Sequence, residues 1–295
     1  MRNRLERALA RRGERAEQAR EVCRLVAGDA DQLPGWVVDR LGDYAFITCN
    51  DSVPPEALAD LEWLMAHLGL KGMTLRRRSK GGRGQEVRAF GATVPERLEL
   101  WEGPARVVLR IQPESLSYGL FPDLRLERLG LGESCLGRTV LNLYAYSGLF
   151  GVHAALSGAT RVVQVDALKS TLAMIKANEE ANAITTARVH EDALLYCQRA
   201  ARRGDHFDVV IHDPPTFGRD PKGRARSTKK ELTAMLASSM RAVVPGGLLL
   251  SVVNTASLSA AAVNYHHRAA AEQAGCRLKK LADLRVDATA PSPLK

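Results

Sequence analysis

The sequence predicts an α/β protein in which a smaller N-terminal α+β domain precedes a doubly wound parallel sheet. From Thr139 onward, runs of valine, isoleucine and leucine alternate with helical patterns, which is typical of a parallel sheet covered by helices on both faces. Before that point, short apolar runs are separated by Gly-Asp and Leu-Pro-Gly turns, which favours a small sheet. We therefore predict an N-terminal helix over 1–22, the α+β domain over 23–107 and the doubly wound domain over 108–295.

Size and composition limit the classes of protein that the chain can belong to. Its 295 residues, of which 45% are hydrophobic, can bury two cores. The sequence has no run of about 18 apolar residues, and its N-terminus lacks the apolar segment of a signal peptide, so we expect a cytoplasmic protein without a membrane partner. The five cysteines include no C-x-x-C pair and no zinc-type histidine spacing. They are expected to be reduced, mostly buried thiols, and no metal is expected.

The positive charge is concentrated in two glycine-containing loops. The formal net charge is +9, and the loops "LRRRSKGGRG" (75–84) and "RDPKGRARSTKK" (219–230) carry much of it. Flexible basic loops suit phosphate contacts, which indicates a nucleic-acid partner. A solvated surface loop with counterions is the alternative for each.

In the N-terminal part, the spacing of residues predicts a helix over 2–20 with a narrow apolar stripe, and a second helix over 54–68. Strands are expected on either side of the second helix, including strands near Met73, Val87 and Leu98.

The doubly wound part contains five predicted strands and four predicted helices. The strands are expected at 139–145, 161–166, 187–192, 207–213 and 248–253. The helices are expected at 149–157, 169–182, 194–203 and 229–243.

Polar residues follow these strands, at the edge of the sheet where such folds bind their ligands. Gly148 follows the first strand, and Asp166, eighteen residues later, ends the second. That spacing is typical of an acid that accepts hydrogen bonds from ribose hydroxyls. Because the G-x-G-x-x-G fingerprint and a P-loop lysine are both absent, the pattern favours S-adenosylmethionine over a dinucleotide or a nucleoside triphosphate. The alternative is that each strand-end acid only caps the next helix.

The stretch "IHDPPTFGR" ends the fourth strand with an acid and two prolines. Proline fixes its own φ and restricts the residue before it, so this turn is rigid. It could hold a planar group that carries an amino function, or it could be a plain strand exit.

Several stretches together resemble a known family. "VLNLYAYSGLFGVHAALSGATRVVQVD", "EDALLY" and "DPPTFGR" are similar to the class I methyltransferase core of the large-subunit ribosomal RNA methyltransferases of the RlmI/RlmK-like group. "CRLVAGDADQLPGWVVDRLGDY" resembles that group's small central domain, and "SYGLFPDLRLER" resembles its cofactor-covering segment. The likeness covers about residues 23–253 and implies a Rossmann-like methyltransferase sheet that uses S-adenosylmethionine to methylate RNA.

The resemblance also implies roles for individual residues. Those expected to bind the cofactor are Phe121, Arg125, Tyr144, Ala145, Ser147, Gly148, Asp166, Ala167, Glu191, Asp192, Ala193 and Asp213. Those expected to face the methyl group and the target base are Asp213, Pro214, Pro215, Thr216 and Phe217. Many relatives begin with an RNA-binding PUA domain that has no counterpart here, so RNA affinity is expected from the small domain and the two basic loops.

One departure from the family bears on the chemistry. Members that methylate carbon five of cytosine carry a cysteine just after strand five, where this chain reads "SVVNTASLS". That carbon becomes nucleophilic only after a thiolate adds to the ring, whereas a nitrogen already offers a lone pair. We therefore predict methylation of an RNA base at nitrogen, with Asp213 as hydrogen-bond acceptor and Phe217 stacked on the base.

Two other functions stay open. DNA amino-methyltransferases use a similar Asp-Pro-Pro turn, but place the aromatic residue directly after the prolines, where this chain has Thr216. A non-catalytic RNA-binding protein on a methyltransferase scaffold is the second alternative.

Overall fold

A computed structural model describes residues 1–17, 20–50, 53–78, 84–112, 115–219, 225–254 and 257–282. Within these ranges, it describes only the backbone of residues 15, 84–87, 217–219 and 225–228. The chain divides into two compact units, Met1–Glu127 and Arg128–Asp283. Among the described residues, no helix combines the length and the apolar character needed to cross a bilayer.

The first unit is built on a five-stranded sheet in the order β1-β2-β3-β4-β5. Neighbouring strands are antiparallel except β3 and β4, which are parallel and are joined by helix α2, as a parallel pair requires a crossover connection. The elements are α1 (Arg2–Arg12), β1 (Val22–Ala27), β2 (Trp36–Leu41), β3 (Tyr44–Cys49), α2 (Pro55–His67), β4 (Gly72–Arg78) and β5 (Gly84–Gly91). A separate hairpin follows, made of β6 (Arg97–Glu102) and β7 (Ala105–Arg110).

The N-terminal helix is shorter than the predicted span 2–20. It ends at Arg12, because Gly13 adopts a φ of 54° and a 3₁₀ turn over Gly13–Ala16 follows. Its apolar stripe is real, since Leu5 and Leu9 are buried in the core of the first unit. The glycine, a residue that readily adopts this φ, was the available signal for the helix end.

Buried ion pairs reinforce the first unit. The Arg24 Nε lies 2.9 Å from Asp39 Oδ1, and the Tyr118 hydroxyl donates to Asp39 Oδ2 at 2.8 Å. Burial, together with the neighbouring carboxylate, raises the pKa of Tyr118 well above its ordinary value, so it remains a neutral donor. Removing one member of such a buried pair leaves an uncompensated charge, which typically costs about 3–5 kcal/mol.

The second unit contains a five-stranded parallel sheet in the order β10-β9-β8-β11-β14. From β8 the chain proceeds outward to β9 and β10, then returns to place β11 and β14 on the other side. The strand order therefore reverses at β8, and the edge beyond the carboxyl ends of β8 and β11 is where such sheets bind ligands. The elements are α4 (Gly132–Cys135), β8 (Thr139–Leu143), α5 (Leu149–Leu156), β9 (Arg161–Asp166), α6 (Lys169–Ala181), β10 (Ala187–His190), α7 (Ala193–Arg203), β11 (Phe207–His212), β12 (Phe217–Arg219), β13 (Ala225–Ser227), α8 (Thr228–Arg241), β14 (Val243–Ser251) and α9 (Ala260–Ala274), while α3 (Arg125–Gly130) spans the limit between the units.

The predicted doubly wound architecture is confirmed, with five strands and four intervening helices in the predicted order. The main differences are at strand ends. Strand β8 ends at Leu143 rather than at Ala145, because Tyr144 adopts a φ of 57°. Strand β14 begins earlier than residue 248, and its register with β11 shifts between Phe207 and Val209.

A compact unit need not coincide with an evolutionary domain. The predicted domain limits after residues 22 and 107 therefore stay predictions.

Candidate active site

The turn after β8 follows an irregular path at the carboxyl edge of the sheet. Tyr144, Tyr146 and Gly148 have φ values of 57°, 52° and 78°. For the two tyrosines this left-handed conformation is strained. Two hydrogen bonds hold it: Ala145 N–H donates to the Val165 carbonyl at 3.0 Å, and Gly148 N–H donates to the Ala145 carbonyl at 2.7 Å. The turn therefore presents a fixed backbone at the predicted cofactor position.

Gly148 and Gly151 are required by close packing beneath this turn. A Cβ on Gly148 would lie 2.8 Å from Gln164 Oε1 and 2.8 Å from Ile175 Cγ1, and one on Gly151 would lie 2.4 Å from the Gln164 side chain. No side chain fits at these distances. Gly148 is expected to bind the cofactor, and the packing beneath the turn gives the glycine an internal reason as well.

A buried polar network that sequence reasoning missed supports the same turn. Gln164 accepts from Asn142 Nδ2 at 3.1 Å and donates to Thr186 Oγ1 at 3.0 Å. On α6, the fully buried Asn178 donates to the Ser147 carbonyl at 2.9 Å. The available signal was the polar residue inside each apolar strand, in "LNL" and "VVQV". Buried amides of this kind fix geometry because leaving any of them unpaired is costly.

Asp166 organises the strand-end edge through backbone contacts. Its Oδ2 accepts from Tyr146 N–H at 2.9 Å and its Oδ1 from Leu168 N–H at 3.0 Å. A carboxylate has about four acceptor positions, so these two bonds leave room for ligand hydroxyls. The next residue, Ala167, is exposed, and its carbonyl lies 3.0 Å from His190 Nε2.

The third strand end is adjacent to the second. Glu191 N–H donates to the Asp166 carbonyl at 3.0 Å, and the Glu191 carboxylate pairs with Arg199 at 2.6 Å. Asp192 caps α7 by accepting from two backbone N–H groups, those of Leu194 and Leu195. Capping, the alternative that the sequence left open, thus occurs at Asp192, whose Oδ1 accepts both hydrogen bonds. Ala193 is buried directly behind it.

The Asp-Pro-Pro turn follows β11 as predicted. Asp213 is half-buried, Pro214 is buried and Pro215 is exposed. The Thr216 hydroxyl donates to the Asn254 carbonyl at 2.6 Å, which ties the turn to the segment after β14. The Phe217 backbone begins β12, which pairs with β13, but its side chain lies outside the described part of the chain.

His212 lies between the two turns. Its ring packs edge-on against the Tyr144 ring, with 5.5 Å between centroids. Its Nδ1 lies 2.9 Å from Ser239 Oγ, and that hydroxyl donates to the Met235 carbonyl, so the proton of the imidazole is on Nδ1. Complete burial, with a smaller contribution from His267, lowers the pKa of His212 to about 3. His212 is therefore neutral at neutral pH.

Phe121 and Arg125, the two residues of the covering segment expected to bind the cofactor, lie in the first unit. Phe121 is exposed at 44%, which is unusual for a phenylalanine. Arg125 forms a half-buried ion pair with Glu21, with Nη2 and Oε2 3.0 Å apart. Their predicted contacts with a cofactor stay predictions.

The cysteines behave as expected from the sequence. All five are free, and Cys23, Cys49, Cys135 and Cys197 are buried. Burial raises the pKa of Cys135 to about 11 and that of Cys197 to about 12, so both are thiols at neutral pH. Within the described residues, no group of three or more histidine, cysteine, aspartate or glutamate side chains could hold a metal ion.

For one residue of the first basic loop, the predicted role is wrong. Arg76, expected to contact phosphate, is buried; it packs over the Phe46 ring at 4.8 Å and donates to the carbonyls of Gln112 and Ser115. It is thus a structural cation, whereas Arg77 and Arg78 are exposed. Residues 79–83 of this loop and 220–224 of the second lie outside the described residues.

Known proteins resemble this chain in sequence and in fold. The ribosomal RNA large subunit methyltransferase I of Serratia proteamaculans is 28% identical over 77% of this chain and 59% of its own length. The ribosomal RNA large subunit methyltransferase K/L of Chromohalobacter salexigens is 30% identical over 84% of this chain and 35% of its own length. The chain thus spans less than two thirds of either curated relative.

A solved structure described as a methyltransferase in complex with SAH has a TM-score of 0.83 to this chain at 23% identity, and it covers 98% of this chain and 76% of its own. This likeness extends the agreement in fold to nearly the whole chain. A family model described as S-adenosylmethionine-dependent methyltransferase matches residues 88–277. Because that match covers more than half of the chain and every strand of the parallel sheet, the chain belongs to the S-adenosylmethionine-dependent methyltransferase family.

Proposed function

We propose that this protein is an S-adenosylmethionine-dependent RNA methyltransferase that acts on a nitrogen of a base in ribosomal RNA. The RNA class is supported by the curated relatives, whose names assign them to large-subunit ribosomal RNA. The site is inferred from the carboxyl edge of the parallel sheet, where Asp166 ends β9 and where Asp192 and Asp213 come shortly after β10 and β11. These are the positions from which class I sheets hold an adenosine ligand.

The residues present fit the cofactor of the family. Asp166 and Asp192 each accept hydrogen bonds from backbone N–H groups, which fixes their carboxylates in place. Asp166 would bind the ribose hydroxyls and Asp192 the adenine amino group. The rigid turn over 144–148 would line the methionine arm. When bound, S-adenosylmethionine supplies an electrophilic methyl group on sulfur.

The Asp-Pro-Pro turn would position the methyl acceptor. Asp213 would accept a hydrogen bond from an amino or ring N–H of the base, and this would leave a nitrogen lone pair aligned with the methyl group. The sulfur of the bound group would keep the electron pair of its bond to the methyl, and the proton lost by the nitrogen would pass through the Asp213 carboxylate to solvent. Two features favour nitrogen over carbon five: Cys135 and Cys197 are held as thiols, and no cysteine occurs at the end of strand five, in "SVVNTASLS".

Mass spectrometry of nucleosides tests the proposal. Ribosomal RNA from cells without this protein should lose one methylated nucleoside, and purified protein should restore it in vitro with deuterated S-adenosylmethionine. Asp213→Asn should lower the rate about tenfold to a hundredfold, since a half-buried charged acceptor is replaced by an amide. An exposed acid elsewhere in the same unit, Asp205, provides the matched control variant Asp205→Asn.

The two alternatives predict different results. Label incorporated into double-stranded DNA but not into RNA would favour a DNA amino-methyltransferase. RNA binding without measurable cofactor binding would favour the non-catalytic scaffold. Label found on carbon five of a pyrimidine would contradict the nitrogen assignment alone.

A further inference from the structure

The β6–β7 hairpin of the first unit has two chemically different faces. The side chains of Leu100, Val107 and Leu109 are buried on one face. Strand residues alternate between faces and cross-strand partners share a face, so the opposite face is formed by the remaining alternate positions. Its exposed members, called the hairpin outer face below, are Arg97, Glu99, Trp101, Arg106 and Arg110, whereas Val108, the cross-strand partner of Glu99 at the centre, is buried.

An exposed aromatic platform lies at one end of this face. Trp101 is 39% exposed, and its cross-strand partner Arg106 places its guanidinium carbon 5.2 Å from the centroid of a ring of the indole. The backbone is well fixed, because Trp101 N–H donates to the Arg20 carbonyl at 2.8 Å. Unpaired RNA bases stack both on aromatic side chains and on guanidinium planes. The Trp101–Arg106 pair offers both kinds of surface together.

The rest of the hairpin outer face is cationic. Arg97 and Arg110 are cross-strand partners at its other end, and Glu99 pairs with Arg97 at 2.6 Å. Arg110 forms no ion pair with an acidic side chain in the described part of the chain. The three arginines and one glutamate give this face a net charge of +2. The distance along strand β6 from Trp101 at the aromatic end to Arg97 at the cationic end is about 13 Å. A segment of several nucleotides can span that length.

We propose that the hairpin outer face binds a single-stranded segment of the substrate RNA, with bases stacking at Trp101 and Arg106 and phosphates contacting Arg97 and Arg110. The inference rests on the proposed function, since it requires an RNA substrate. It locates RNA affinity on a surface that the two basic loops do not include. An isolated surface tryptophan would need no explanation, but the combination with three arginines complements a nucleic acid.

The test measures binding of a fluorescein-labelled single-stranded RNA of about 20 nucleotides by anisotropy, using the full chain. Trp101→Ala should weaken binding about fivefold to a hundredfold, and Trp101→Phe should restore most of the loss because it retains a stacking ring. Arg97→Gln and Arg110→Gln should each weaken binding and lower the slope of log affinity against log salt by about 0.7, the value for one phosphate contact on a single strand.

Arg88→Gln is the matched control. Arg88 is also exposed and also lies over an aromatic ring, 5.1 Å from that of Phe90, but on the five-stranded sheet. The substitution Arg88→Gln removes the same charge and should leave RNA affinity within about twofold of the wild-type value. Cofactor affinity should be unchanged in all variants. If Trp101→Ala lowers the melting temperature, its loss of affinity is not specific to this surface, and the two exposed arginine variants decide the outcome.

The failures can be told apart. If the wild type methylates RNA and all hairpin variants bind RNA as the wild type does, the inference is overturned and the proposed function stands. If the hairpin variants lose binding only to an acidic peptide probe, the surface serves a protein and the inference is again overturned. If the wild type neither binds nor methylates RNA, both fail.

Discussion

At the scale of single residues, the candidate site depends on acids, such as Asp166, whose carboxylates accept hydrogen bonds from backbone N–H groups and are expected to bind the ligand as well. Asp166 holds the strained turn at Tyr146 and the start of the next connection at Leu168. Its geometry is therefore set before any ligand arrives. Preorganisation of this kind reduces the cost of ordering a site on binding.

Replacement of Asp166 by alanine tests this double role. Asp166→Ala should weaken S-adenosylmethionine binding about tenfold or more, since charge-assisted hydrogen bonds to the ribose are worth about 1.5–3 kcal/mol each. Titration calorimetry measures the affinity. Asp205→Ala, which removes an exposed acid paired with Arg203, should leave it unchanged. Equal affinity in wild type and Asp166→Ala would remove the ribose assignment.

His212 makes a second prediction, about acid stability. Its folded pKa of about 3 lies below its ordinary value of 6.5, so the unfolded chain takes up a proton first as the pH falls. The free energy of unfolding should therefore drop between about pH 6.5 and pH 3, by at most about 1.4 kcal/mol per pH unit from this group. Above pH 6.5 His212 contributes no pH dependence.

Urea unfolding at several pH values measures this slope. His212→Asn retains a donor toward Ser239 and should show a shallower loss of stability in that pH window. His206→Asn, at an exposed position, should keep the wild-type slope. A slope in His212→Asn equal to that of the wild type would mean that another group carries the acid sensitivity.

At the scale of elements, the turn between β8 and α5 is fixed by what lies beneath it. Gly148 combines a positive φ with contacts that exclude a Cβ, and the Gln164 side chain that excludes it belongs to the neighbouring strand β9. Asn178 on α6 holds the same turn by donating a hydrogen bond to the Ser147 carbonyl. Two elements other than those that the loop connects, β9 and α6, thus determine its conformation.

A pair of glycine variants separates the two constraints. Gly204 also has a positive φ, of 73°, but no atom lies within 4 Å of its hypothetical Cβ. Gly204→Ala should cost about 1–2 kcal/mol from backbone strain alone. Gly148→Ala should cost about 1–3 kcal/mol more, because Gln164 or Ile175 must move, and it should also weaken cofactor binding. Similar thermal shifts for both variants would show that the close packing is easily relieved.

At the scale of the whole molecule, the distribution of cysteines bears on which atom of the base is methylated. Four cysteines are distributed over the cores of both units and Cys276 is exposed. None follows a strand at the carboxyl edge of the parallel sheet. Nitrogen methylation needs no covalent adduct with the enzyme, whereas methylation at carbon five of a pyrimidine does.

A panel that replaces each cysteine in turn by serine tests this distinction. Turnover per folded molecule should persist in all five variants, although Cys135→Ser and Cys197→Ser should unfold more easily because a hydroxyl is buried in place of a thiol. Circular dichroism normalises for folded protein. A single indispensable cysteine, together with an RNA adduct trapped through it, would replace the nitrogen assignment by carbon methylation.

The sequence by itself determined the doubly wound class, the order of its elements and the strand-end positions of Asp166, Asp192 and Asp213, because periodicity and turn residues are local properties of the chain. Only the tertiary structure decided which partners these positions have. It showed that Asp192 caps a helix, that Gln164 fills the space under Gly148, and that Arg76 is buried against Phe46. These contacts join residues from different strands, and hydrophobic periodicity shows that a residue faces inward but not which neighbour it meets once the strands pair.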